Sequence, residues 1–262
     1  MAYPQRAAAS SSRSNPIVAW VRRLSDPMSS AGHAQRWISE LPVGDALAAD
    51  GHTVLGVRLA HHATQPEDMF RSHWRDWYAA VLDGYWLLRA QCAEVFAIGL
   101  SMGGALALYL AANRPVAGVV AMATPSKPFV DAMDWRARYA RWLSYALPFS
   151  RKGPPSPTGD PAHLAYPQYP VRAIPQLRAV LTAAAEALPQ ITAPALVIHS
   201  HGDEGVPDAN AEYILAHLGS AQKELVRLER SGHILPEEIE RHIVFERISA
   251  FVRTYTLVPT RP

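Results

Sequence analysis

Short apolar runs alternate with segments of helical period along most of this chain. Ile17 to Val21, Thr53 to Val57, Val95 to Ile98, Val116 to Met122, Ala195 to His199 and Glu224 to Leu228 are brief, apolar or alternating runs of the kind that form strands. Between them lie helical patterns. One covers Trp37 to Ala49 and is broken by Asp50-Gly51-His52. A longer one runs from about His73 to Arg89, with Trp74, Trp77, Val81, Leu82, Tyr85 and Leu88 on one face. Ala105 to Ala112 is apolar and rich in alanine and leucine, and the last pattern covers roughly Glu237 to Tyr255. There is no internal repeat. Strands separated by helices predict βα units and a mostly parallel sheet flanked by helices, an α/β fold.

The rhythm changes between about residues 125 and 190. Aromatics and prolines accumulate there, and Gly153-Pro154-Pro155-Ser156-Pro157 is incompatible with regular structure. This stretch is expected to be a mainly helical lid insertion over the carboxyl edge of the sheet. Residues 1–16 read as a flexible tail and 17–262 as one domain.

Composition narrows the partners. At 262 residues with 49% hydrophobic and 18% charged positions, the chain has the makeup of a folded domain with one substantial core. A formal net charge of +2 points away from nucleic acid or an anionic membrane surface. Arg136, Arg138 and Arg141 fit the solvated face of a helix whose other face carries Trp135, Tyr139, Trp142 and Leu143. Cys92 is the single cysteine, so no intrachain disulfide and no cysteine metal site are expected. The polar segment Met1 to Asn15 lacks the apolar centre of a secretion signal, and no run approaches a membrane span. The expectation is a soluble, cytoplasmic protein of unspecified oligomeric state.

Against that background, Gly99-Leu100-Ser101-Met102-Gly103-Gly104 carries the chemistry. It matches G-x-S-x-G, a serine on a sharp turn between a strand and a helix, with glycines where the backbone must crowd. Chance would supply about 0.1 such matches in a chain of this length. A serine nucleophile also needs a base and a carboxylate to orient it, in the chain order serine, acid, histidine. Asp203 follows the strand ending near Ser200, and His233 follows the strand ending at Leu228. Both therefore fall at the sheet edge where Ser101 emerges. Glu204 and Asp208 are the rival acids. His217 and His242 lie in helical stretches, while His199 and His201 at a strand end find no third ligand of metal-site spacing, so no metal is expected.

These segments, together with Pro115 to Val120, Ile191 to Ser200, Ser231-Gly232-His233, Thr53 to Leu59 and Trp74-Arg75-Asp76-Trp77, resemble bacterial carboxylesterases of the monoacylglycerol-lipase-like group. The likeness runs from about residue 45 to the C-terminus. It implies an α/β-hydrolase fold with a small lid and no cofactor. The implied activity is hydrolysis of small-molecule carboxylic esters (short- to medium-chain acyl esters or monoacylglycerols) through an acyl-enzyme on Ser101, with His233 as base and Asp203 as its orienting acid. The N–H of Met102 would supply one oxyanion donor and Leu24 the other. Phe129, Met133, Trp142, Leu143 and Phe149 would either line an acyl pocket or pack the lid's own core.

Two segments depart from the group's pattern. Its members carry a His-Gly-aromatic turn after the first strand, where this chain reads Arg22-Arg23-Leu24-Ser25-Asp26-Pro27-Met28. Divergence and a local reading-frame error account for that segment equally well. Ala60-His61-His62-Ala63 stands where Gly-His-Gly is usual. One missing oxyanion donor typically costs ~10²–10³ in turnover. A weak or inactive relative that binds an apolar ligand is therefore the alternative reading. Amide hydrolysis or acyl transfer on the same triad is a third.

Overall fold

A computed structural model describes residues 17–22, 42–62, 64–132, 139, 146–151 and 168–256, the first of these segments through its backbone alone. The strands are β1 (Ile17–Arg22), β2 (Thr53–Arg58), β3 (Val95–Leu100), β4 (Gly118–Met122), β7 (Ala195–Ser200) and β8 (Lys223–Leu228). They form one six-stranded sheet in the order β2-β1-β3-β4-β7-β8, and every neighbouring pair is parallel. The helices among the described residues are α1 (Pro42–Ala49), α2 (Trp74–Arg89), α3 (Met102–Asn113), α4 (Ile174–Ala187), α5 (Ala209–His217) and α6 (Arg241–Tyr255).

Burial on both faces explains why β3 and β7 read as unbroken apolar runs. Side chains alternate between two cores. Val95, Ala97, Val119, Ala121, Ala195 and Val197 point to one, with Trp77, Val81 and Tyr85 of α2, Leu106 and Leu110 of α3, and Ile214 of α5. Phe96, Ile98, Val120, Met122, Leu196 and Ile198 point to the other, where Val43 and Leu47 of α1 meet Val244, Ile248 and Val252 of α6. The helix α3 is apolar all round because it lies between the sheet, α2 and α4.

Several elements differ in extent from the sequence pattern. The α3 helix begins at Met102, directly after the serine, and β3 extends to Leu100. Within α2 the expected stripe is deeply buried at Trp77, Val81, Tyr85 and Leu88, while Trp74 and Leu82 are half-buried. His73 caps this helix by accepting from the Arg75 N–H, and Asp76 accepts in return from the His73 N–H. The final pattern divides into a 3₁₀ turn at Leu235–Glu237 and α6 from Arg241, with Pro236 in the turn.

The region expected as a mainly helical insertion also contains an antiparallel pair, β5 (Phe149–Arg151) with β6 (Gln168–Pro170). Its last helix, α4, buries Val180, Leu181 and Ala184 and packs along α3. Leu177, Val180 and Leu181 recur at helical spacing, and that apolar stripe draws α4 onto the body of the domain. The arginine-rich helix around 135–143 and the tail 1–16 lie outside the described residues, apart from the exposed Tyr139. None of the described helices is long and apolar enough to cross a membrane.

Candidate active site

The carboxyl ends of β3, β7 and β8 deliver three side chains to one place. Ser101 sits between β3 and α3 with φ 54° and ψ −123°, a conformation L-residues rarely adopt. Its backbone N–H donates to the Met122 carbonyl at 2.8 Å, which pins the turn to β4. The turn is tight enough that a Cβ on Gly99 would lie 2.1 Å from the Gly103 carbonyl oxygen, so glycine is required there. Met102 is the first residue of α3, where unpaired backbone N–H groups and the helix dipole favour negative charge.

His233 Nε2 lies 2.9 Å from Ser101 Oγ, and its Nδ1 lies 2.7 Å from Asp203 Oδ2. The imidazole therefore bridges the hydroxyl and the carboxylate. Asp203 is buried, and its other oxygen, Oδ1, accepts from the Gly205 and Val206 N–H groups, each at 2.9 Å. Burial pushes the Asp203 carboxyl up. The His233 hydrogen bond and charge and the Val206 N–H outweigh it and hold the group below the usual carboxylate range.

The rival acids are placed elsewhere. Glu204 is exposed, and Asp208 pairs with Arg227 at 3.1 Å and with His201 at 3.4 Å. His199 is buried in β7, with Nε2 2.8 Å from the Val206 carbonyl. An imidazole nitrogen can meet a carbonyl only by donating, so His199 carries its proton on Nε2 and braces the Asp203 loop.

Of the residues expected around the substrate, Leu24, Met133, Trp142 and Leu143 lie outside the described residues. Phe129 is partly buried against the Ala105, Val130, Leu181 and Ala184 cluster. Phe149 stands on β5 with its ring centroid 5.1 Å from that of Phe70. Parallel pairing places Val21 opposite Gly99, so β1 hands the chain to the same sheet edge as Ser101 two residues before Leu24 is reached.

Three supporting residues escaped the sequence reading. Glu240 accepts from the backbone of the His233 loop, Ser200 joins that loop to β7, and Asn210 ties the Asp203 loop to the segment after β4. The Asn210 amide donates to the Pro207 carbonyl at 2.8 Å, while its oxygen accepts from the Ser126 and Phe129 N–H groups at 2.9 and 3.1 Å. An asparagine in an otherwise apolar helical face (Ala211 and Ile214 are its buried neighbours) is the signal that could have exposed the last of these.

The alpha/beta hydrolase family model matches residues 27–245. A thermostable monoacylglycerol lipase from Bacillus sp. (strain H-257) is 35% identical over 213 residues, covering 80% of this chain and 83% of that protein. A carboxylesterase from Bacillus subtilis (strain 168) is 25% identical over 212 residues, 80% of this chain and 85% of its own. Among solved structures, one from work on the metagenome-derived lipolytic enzymes LipS and LipT superposes with a TM-score of 0.77 at 30% identity, covering 92% of this chain and 95% of the other. The chain belongs to the alpha/beta hydrolase family, in its carboxylesterase and monoacylglycerol-lipase-like group, as a carboxylic ester hydrolase.

Proposed function

We propose that the protein is a serine esterase that cleaves short- to medium-chain acyl esters or monoacylglycerols through an acyl-enzyme. The observation that carries this reading is the unbroken relay from Ser101 Oγ through His233 to Asp203, at 2.9 and 2.7 Å. Ser101 Oγ attacks the ester carbonyl carbon while His233 Nε2 takes its proton. The carbonyl oxygen becomes an oxyanion next to the Met102 N–H at the head of α3. Collapse expels the alcohol, which receives the proton from His233. A water then attacks the acyl-enzyme, gives its proton to the same nitrogen, and leaves the carboxylic acid and a free serine. Asp203 stabilises the imidazolium in both halves and fixes the tautomer that presents Nε2 to the serine.

Incubation with p-nitrophenyl esters and with a fluorophosphonate probe tests this directly. The expected result is ester turnover together with covalent labelling. Both should vanish in Ser101→Ala, with turnover falling on the order of 10⁴–10⁶-fold. Absence of labelling and of turnover in the unmodified protein sinks the proposal. That outcome would favour the apolar-ligand binder, for which the Arg22-Arg23-Leu24 segment in place of a His-Gly turn is the specific argument.

A further inference from the structure

His233 is carried by a loop with few internal hydrogen bonds among the described residues, between the end of β8 and the 3₁₀ turn at Leu235. What holds it comes from outside. The Glu240 carboxylate, buried just ahead of α6, accepts from four donors of that loop. Its Oε2 receives the Arg230 N–H at 2.9 Å, the Ser231 N–H at 2.9 Å and the Ser231 hydroxyl at 2.8 Å, and its Oε1 receives the Glu229 N–H at 3.3 Å. Three successive amides and one hydroxyl thus converge on a single carboxylate two residues before the base. The Glu240 backbone carbonyl meanwhile accepts from Ile243 and Val244 in the first turn of α6. One residue therefore joins the base loop to a helix whose far face is locked in the core.

We propose that Glu240 is a positioning residue for the base, its carboxylate fixing residues 229–231 so that His233 reaches Ser101 and Asp203 together. This rests on the serine-esterase reading for its kinetic consequences, but not for its structural one. Burial alone would push the Glu240 carboxyl up; the Arg230, Ser231 and Glu229 donors outweigh it and hold it below the ordinary glutamate value. Hydrogen bonds to the ionised carboxylate are of the stronger, charge-assisted kind. Ser200 meets the same loop from the other side, donating its hydroxyl to the Ser231 carbonyl at 2.6 Å. Ser231 is thus gripped from both sides, its N–H and hydroxyl by Glu240 and its carbonyl by Ser200.

The test compares E240A, E240Q and S231A in the full chain. Glutamine can keep its oxygen where Oε2 stands and so accept three of the four donors without the charge. E240A is expected to lose about 10²-fold in kcat with KM changed less than about twofold, because the loss falls on the transition state. E240Q should recover to within about 10-fold of the unmodified enzyme, and S231A should lose about 3–10-fold. The second readout does not need activity: the downfield proton NMR resonance of the His233 Nδ1–H bonded to Asp203. It should be sharp in the unmodified protein, weakened in S231A and absent in E240A well below its melting temperature.

Should E240A fail to fold, E240Q and S231A still decide the matter through the same resonance and the kcat–KM split. A full-strength resonance with unchanged kcat in both would overturn the proposal, as would losses that merely track the folded fraction. An unmodified protein that shows the resonance but no fluorophosphonate labelling would defeat the esterase reading and leave the positioning role intact.

Discussion

Asp203 sits in a loop that closes on itself, whereas His233 sits in one that is held from a distance. In the acid loop the carboxylate accepts from residues two and three positions ahead, Gly205 and Val206, and His199 at the strand end seals the turn through the Val206 carbonyl. The partners of Oδ1 and the seal on the turn lie within eight residues of sequence, 199–206, while His233 holds Oδ2 and Asn210 ties the loop to the segment after β4. The base loop instead depends on Glu240, beyond the histidine, and on Ser200, in another strand. Local closure fixes the Asp203 carboxylate through residues of its own loop. On the proposed mechanism, remote closure makes His233 depend on residues outside the relay.

The largest effect that separates the two loops should come from D203N. Asparagine can still accept from Gly205 and Val206 through its oxygen, so the loop keeps its shape. Its NH₂ then faces His233 Nδ1 and selects the wrong tautomer. A fall of roughly 10⁴-fold in kcat is expected with a cooperative melt retained, measured by ester turnover and circular dichroism. The sign of the pH effect follows from the lowered Asp203 pKa. A depressed carboxylate contributes stability above its unfolded value, about 3.9, and that contribution disappears as pH falls through the folded one. The stability gap between the unmodified protein and D203N should thus be flat near neutrality and shrink in acid. A gap that widened below pH ~4 would contradict the hydrogen bonding described for Asp203.

The same contrast explains what the sequence could disclose. The elbow around Ser101 was legible because its requirements are local: a buried strand, glycine at 99 for a close approach, and an apolar helix directly after. Asp203 was legible from its place after the strand ending near Ser200 and from the chain order serine, acid, histidine, though Glu204 and Asp208 stayed open as rivals. The position of His233 could be read, but its support could not. Glu240 looks like any other charge ahead of a helix, and nothing in its neighbours marks four donors waiting for it. The pair β5–β6 escaped because three-residue strands carry no periodicity. The packing of α4 onto α3 escaped because a helix in a proline-rich region reads as part of an appendage until its buried face is seen.

A smaller effect should distinguish sealing from closure in the acid loop. H199L deletes the donor to the Val206 carbonyl but also removes His199 Nδ1, a buried nitrogen that has no hydrogen-bond partner among the described residues. One unpaired group replaces another of similar cost, ~1–3 kcal/mol, so the melting temperature should change little. Activity should still drop about 10-fold as Val206 loosens its hold on Asp203. H199Q, which can offer an N–H to the same carbonyl, should restore most of it. Equal losses in H199L and H199Q would mean that shape, and not the hydrogen bond, is what β7 supplies there.

The finest test concerns the two grips on Ser231. S200A removes the hydroxyl that donates to the Ser231 carbonyl, and S231A removes the hydroxyl that donates to Glu240. Each alone leaves the other grip in place. S200A should therefore cost only about 2–5-fold in kcat and about 1 kcal/mol in stability, a melting shift of ~2–4 °C for a domain of this size. If the grips back each other up, the double variant must lose more than the sum of the singles. An excess of at least ~0.5 kcal/mol in a double-mutant cycle, on stability and on kcat alike, is the expected coupling. Additivity within ~0.3 kcal/mol would mean that Ser200 and Glu240 hold separate parts of the loop. The base would then depend on each independently, and the contrast with the self-closing acid loop would be one of degree.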